Sequence, residues 1–149
     1  MRSISVLASL TLLCAASLAA QSAPSIGIER SVYIERIERI GERVVRELQP
    51  AAELRRGDSV VLMIEWNAPG AGNSFVVSSR VPSELAYQKS GAHTPIVSVD
   101  NARTWGPLGD LRIGARRASP EDVTHLRWKV SEDRAARGRG LLSYSAIVR

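Results

Sequence analysis

Alternation of apolar and polar positions is the clearest signal in the chain, and it is strongest over residues 58–67. Every second residue of this segment is large and apolar: Val60, Leu62, Ile64 and Trp66. Because successive side chains of a strand point to opposite faces, this period of two predicts a β-strand with one buried face. The segment is entered through Arg56-Gly57-Asp58, where glycine and aspartate favour a tight turn.

The same alternation recurs further along the chain. It predicts strands at residues 74–81, 95–100, 124–130 and 140–149, and residues 111–113 are a further short apolar stretch. Pro82 ends the first of these, because proline has no backbone N–H to donate to a neighbouring strand. In residues 124–130, Leu126 and Trp128 are predicted to face the core, while His125 faces outward. After residue 58 no stretch has the period of a helix of useful length.

Residues 28–48 allow two interpretations. Apolar residues recur there at helical spacing: Ile37, Ile40, Val44 and Leu48. Repeated Glu-Arg pairs would then line a solvated helix face. The alternative is two strands, residues 31–37 and 43–48, separated at Gly41 and favoured by the β-branched residues. We predict strands, because a chain otherwise made of strands needs partners for its sheet edges.

Several short strands separated by turn residues predict an all-β fold with a single β-sandwich. The length of 149 residues fits one domain. With 44% hydrophobic and 23% charged residues, the composition is that of an ordinary globular protein. It excludes a disordered tail, a collagen-like repeat and a multi-span membrane protein.

The first twenty residues have the layout of a secretory signal peptide. Arg2 supplies a positive charge, residues 4–16 are apolar, and residues 17–20 offer small side chains to a signal peptidase. The competing interpretation is a buried N-terminal helix. Cys14 follows Leu13, which is too large for the small residue that a lipoprotein site requires.

Export has consequences for the rest of the chain. Cleavage after residue 20 removes the single cysteine, which leaves neither a disulfide nor a thiol nucleophile. We expect residues 21–30 to form a flexible lead and residues 31–149 to form the sandwich domain. The protein is then bacterial and either periplasmic or secreted, with no stable membrane insertion after cleavage.

The net charge of +5 comes from 20 Lys and Arg against 15 Asp and Glu. Acidic residues dilute this excess throughout, and no aromatic residues are interleaved with the basic ones, so a nucleic-acid groove is not expected. The charge could still attract acidic glycans.

Turns and strands together resemble a known bacterial envelope module, the conserved repeat domain, also called domain of unknown function eleven. The resemblance rests on Arg56-Gly57-Asp58, on an alternating strand to Asn67, and on residues 75–82 ending in Val81-Pro82. Residues 98–105, Ser-Val-Asp-Asn-Ala-Arg-Thr-Trp, are similar to the family's Ser-x-Asp-Gly-Gly-x-x-Phe turn. Arg56 replaces the family's proline, and Ala68 weakens its Asn-x-Gly match.

This resemblance covers nearly the whole chain from about Ser31. It implies an immunoglobulin-like β-sandwich of about seven strands in a secreted or envelope protein. It implies no catalytic residue, and we expect no catalytic, cofactor-binding or metal site and no cofactor.

Some residues could carry chemistry and have a simpler structural interpretation. His93 and His125 could bind a metal or act as a base, but they are far apart and no metal-ligand spacing surrounds them. Asp100, Asn101 and Asp110 could offer oxygen ligands to calcium, yet the spacing of an EF-hand is absent and turns explain them equally well.

Three classes of function follow. The first is a non-catalytic module with a structural or protein-interaction role in the envelope, whose partner is an unknown envelope or extracellular protein. The second is a glycan-binding module, for which Trp105 is the candidate ligand contact, because sugars stack on exposed aromatic rings. The third is a small hydrolase that uses the histidines. We predict the first class and no enzyme activity.

Overall fold

The computed structural model describes residues 25–70 and 72–149, so the predicted signal peptide, residues 1–20, lies outside the described residues. Ten strands account for most of this part of the chain: β1 Gly27–Ile40, β2 Arg43–Pro50, β3 Ser59–Asn67, β4 Phe75–Arg80, β5 Leu85–Ser90, β6 Ile96–Ser98, β7 Arg112–Ile113, β8 Arg116–Arg117, β9 His125–Val130 and β10 Arg139–Val148. The helical elements are short: α1 Glu132–Ala135 and the 3-10 turns Leu108–Asp110 and Pro120–Asp122.

The strands form two main antiparallel sheets that pack as a sandwich, which confirms the all-β prediction. The larger sheet has the order β2-β1-β3-β10-β5 and the smaller sheet β4-β9-β6, while β7 and β8 form a separate hairpin. From β3 to β6 the chain changes sheet at each connection. After the β7–β8 hairpin, the chain forms β9, the middle strand of the smaller sheet, and then β10, an inner strand of the larger sheet. In immunoglobulin constant domains the last strand lies in the three-stranded sheet with strands C and F, whereas β10 lies in the five-stranded sheet, between β3 and β5.

The core lies between the two sheets, on the faces that the alternation predicted. Its largest fully buried side chains are Trp66, Trp128, Tyr144, Ile64, Leu126 and Leu142. Two aromatic pairs link the sheets: Trp66 meets Phe75 edge-on with centroids 5.2 Å apart, and Trp128 stacks on Tyr144 at 6.4 Å. Burying such rings supplies much of the hydrophobic stabilisation of a small sandwich.

Residues 28–48 form strands, as predicted, but the boundary before them was wrong. Residues 27–30, expected in the flexible lead, belong to β1. Gly27 pairs with Asn67 and Ile28 with Trp66, so the start of β1 satisfies the backbone at the end of β3.

The sequence analysis missed β5. Leu85, Ala86 and Tyr87 are all buried in succession, so the segment lacks the period of two. It pairs with β10 across an irregularity between Ser145 and Ala146, which shifts the register. With β5 and the hairpin, the described chain has ten strands where about seven were predicted.

Candidate functional site

Trp105, the predicted ligand contact, lies against the outer face of the smaller sheet. The guanidinium carbon of Arg127 stands 3.8 Å from its ring centroid, and the His125 ring meets its edge at 6.3 Å. Its indole N–H donates to the Ala102 carbonyl at 3.1 Å. Trp105 is half-buried, with one ring face occupied by Arg127. The packing also explains why His125 and Arg127 are only partly exposed, although both lie on the outward face that was predicted for His125.

The loop before Trp105 is closed by the carboxylate of Asp100. One oxygen accepts from the Ser98 hydroxyl at 2.7 Å and from the Thr104 amide at 2.9 Å, and the other accepts from the Thr104 hydroxyl at 2.7 Å. Hydrogen bonds from Thr104, and then from Ser98, hold the pKa of Asp100 well below its ordinary value of 3.8. Asp100 therefore serves the turn that the sequence predicted, and it positions Trp105.

The two histidines lie in different surroundings. His125 shares a hydrogen bond of 3.1 Å with the Thr124 hydroxyl. His93 precedes β6, and its backbone carbonyl accepts a hydrogen bond from the Trp128 indole at 3.0 Å. Burial, and secondarily the charge of Arg134, lower the pKa of His93 from 6.5. Within residues 25–70 and 72–149, no three His, Cys, Asp or Glu side chains cluster as metal ligands would.

A cavity of about 870 Å³ opens where β1 begins, β3 ends and β10 begins. Glu29 and Glu65 line it and face each other on neighbouring strands, a juxtaposition that sequence spacing did not reveal. Both side chains are exposed. A general acid normally needs a desolvated carboxyl, so this pair lacks the environment that acid catalysis uses.

The most distinctive surface is the distal part of the β1–β2 hairpin. Pairing between β1 and β3 ends at Ile34, whereas pairing between β1 and β2 continues to the turn after Ile40. We name residues 35–48 the arm. Gly41 begins its two-residue turn with a φ of 62°, as hairpin turns with glycine in the first position require.

Both faces of the arm carry exposed apolar side chains. They are Ile37, Ile40, Val44, Val45 and Leu48, each between 39% and 63% exposed. The register places Val44 and Leu48 on the face of Ile37, and Val45 on the face of Ile40. Charged residues alternate with them, including Arg46, which pairs with Glu35 at 3.4 Å.

The sequence predicted these residues as sheet positions, and it did not predict their exposure. The missing information was that β3 begins only at Ser59 and does not extend beside residues 35–48, so that β1 and β2 continue there without a third strand. The length of β1, 14 residues, exceeds that of any strand beside it. The Glu-Arg repeats were the one local signal of a solvated segment.

Comparisons with protein-family models, with curated proteins and with solved structures found no match. Within the described part of the chain, no helix combines the length and the apolar character needed to span a membrane.

Proposed function

We propose that this chain is an exported, non-catalytic β-sandwich module that binds protein in the bacterial envelope through its arm. The observation that carries the proposal is the set of exposed apolar side chains on both faces of residues 35–48. Contiguous apolar surface on a folded protein marks sites of interaction, because leaving it in water forgoes hydrophobic stabilisation.

The arm adds little to the core of the sandwich. Ile34, the last residue of β1 beside β3, is buried, and every residue from Arg36 to Gln49 is exposed. A two-stranded hairpin is marginally stable alone. A partner that covers the apolar side chains would stabilise the hairpin. These side chains, which do not contribute to the core, would then have a role in binding.

Trp105 supports the glycan-binding alternative less well. A sugar platform needs an open ring face and free polar groups around it. Arg127 covers one face of Trp105, and the indole N–H is already bonded to Ala102. The hydrolase alternative gains no support from His93, whose carbonyl anchors Trp128, or from His125, which packs on Trp105.

One turn supports the envelope-module resemblance. Asn101 and Ala102 have positive φ values, 57° and 67°, at the two positions where the family pattern has glycines. Glycine adopts this conformation without strain, whereas an L side chain rarely does. The position of β10 within the larger sheet differs from the immunoglobulin constant arrangement, so the proposed binding of protein rests on the arm and not on the family.

Site-specific photocrosslinking tests the proposal directly. Val44 on the arm and Val76 on the smaller sheet are both 54% exposed valines on strands. A photoreactive benzoylphenylalanine in place of Val44 should crosslink the exported protein to another polypeptide in the envelope. The same group in place of Val76 is the matched control and should give no adduct. Equal yields at both positions, or none at position 44, would contradict the proposal.

Glycan binding is measured beside it. The wild-type protein, Trp105→Ala and Val44→Asp are compared on a glycan array. If binding disappears in Trp105→Ala and persists in Val44→Asp, the ligand-binding site is the surface around Trp105 and not the arm.

A further inference from the structure

We infer that the arm pairs with the arm of a second copy of this chain, β2 beside β2, so that the two larger sheets become continuous. This inference rests on the proposed function, because it names the partner that the arm binds and places the contact at the open edge of β2.

The open edge of β2 has the hydrogen-bonding groups that such pairing needs. β2 is the outermost strand of the larger sheet. The Ala51 amide donates to the Val32 carbonyl at 3.1 Å, which fixes the alternation along the strand. Residues 43, 45, 47 and 49 therefore direct their N–H and C=O groups towards β1. Val44, Arg46 and Leu48 direct theirs to the open side, where they form a template for another strand.

Two-fold symmetry limits the possible registers. In an antiparallel pair of identical strands, the residue on the symmetry axis faces its own copy, and the residues on either side face each other in turn. With the axis at Val45, an apolar residue meets itself. Arg43 then faces Glu47 of the second copy, and Glu47 faces Arg43 of the second copy. Opposite charges at directly opposed positions stabilise paired strands.

The three neighbouring registers are less favourable. An axis at Arg46 brings two arginines together, and an axis at Glu47 brings two glutamates together, which is destabilising. An axis at Val44 pairs only residues 43–45, because β2 begins at Arg43. The axis at Val45 pairs residues 43–47.

Neighbours on β1 extend the charge complementarity. Glu47 faces Arg36 within one copy. In the proposed pair, Glu47 lies between this arginine and Arg43 of the second copy. The row across the joined sheets thus alternates in sign, and it occurs twice by symmetry.

Charge reversal tests the register. Sedimentation velocity at rising concentration should show a monomer–dimer equilibrium for the wild-type protein. Glu47→Arg and Arg43→Glu each replace two attractive contacts by two repulsive ones, and each should raise the dissociation constant roughly tenfold or more. An equimolar mixture of the two variants should regain dimer as a mixed species, because each supplies the charge that the other lacks. Gln49→Arg, on the same face but outside the paired residues, is the control and should leave the equilibrium unchanged.

A disulfide gives an independent measurement. In a Cys14→Ser background, Val45→Cys should form a covalent dimer on oxidation, since opposed residues of paired strands lie within disulfide range. Val44→Cys should not, because position 44 faces residue 46.

A wild-type protein that stays monomeric at all concentrations overturns the inference, as does a dimer that Glu47→Arg leaves intact. If photocrosslinks from position 44 then join the chain to a different polypeptide, the proposed function stands and only the identity of the partner is wrong. If position 44 gives no adduct of any kind, both fail.

Discussion

Trp66 lies so close to the α-carbon of Gly140 that a β-carbon at position 140 would come within 2.6 Å of the ring atom Cε2. The two residues face each other across β3 and β10, and the ring is 2% exposed. The absence of a side chain at Gly140 is thus what lets the indole lie over β10.

Gly140→Ala should therefore destabilise the protein by about 1–3 kcal/mol through overpacking against Trp66. Gly109→Ala is the control, because a β-carbon there meets nothing within 4 Å. Urea unfolding followed by tryptophan fluorescence measures the difference. Equal midpoints for the two variants would show that the core shifts to accommodate the methyl group.

Trp66→Ala and Trp128→Ala should each cost about 3–5 kcal/mol of unfolding free energy, since each ring fills the space between the sheets. Trp128→Ala also removes the hydrogen bond to the His93 carbonyl. Trp105→Ala should cost much less, because its ring packs outside the sandwich. Chemical denaturation of the three variants ranks them, and a larger loss for Trp105 than for the other two would contradict this packing.

Asp100 should make the stability of the fold depend on pH in the acidic range. Because its folded-state pKa lies below the ordinary 3.8, the carboxylate stabilises the fold fully above that value. The contribution is lost as pH falls from about 3.8 towards the lowered pKa. Asp100→Asn should lower the thermal midpoint at pH 7 and flatten its decline between pH 4 and pH 2. An unchanged decline would assign the acid sensitivity to other carboxyl groups.

The double variant His93→Ala and His125→Ala should keep the wild-type fold, because His93 contributes its backbone carbonyl and His125 lies outside the core. Its thermal midpoint should not respond to zinc, and neither should that of the wild-type protein. A rise with zinc in the wild-type protein alone would reveal a metal site, since a ligand that binds only the folded state raises the midpoint.

Mass spectrometry of the exported protein should find its N-terminus within a few residues of Ala20 or Gln21. The order of positive, apolar and small residues before this point is the physical basis of the expectation. Recovery of the exported form with Met1 intact would contradict it.

Alternation of apolar and polar residues predicted the sandwich, because a strand that buries one face and exposes the other carries apolar residues at every second position. Residues 60–66 of β3 are an example. This pattern could not predict β5, where Leu85, Ala86 and Tyr87 are all covered by neighbouring elements. Alternation appears only where one face of a strand is buried and the other is exposed, and the first three residues of β5 are buried on both faces.

The candidate site was less predictable than the fold. The turn chemistry of Asp100 was visible in the sequence, because aspartate bonds to nearby backbone amides. The stacking of Arg127 on Trp105 joins residues that are far apart in the chain, and nothing local indicates it. The arm is exposed because β3 begins at Ser59 and does not extend beside it. This depends on the relative lengths and register of β1, β2 and β3.

β1 belongs to the arm at one end and pairs with β3 at the other, with no break between them. A force applied to the arm along its length would therefore act along β1, at right angles to its hydrogen bonds with β3. The eight residue pairs from Gly27 to Ile34 would share that load in shear and would not open one at a time. The hairpin would transmit tension into the sandwich as a rigid tether.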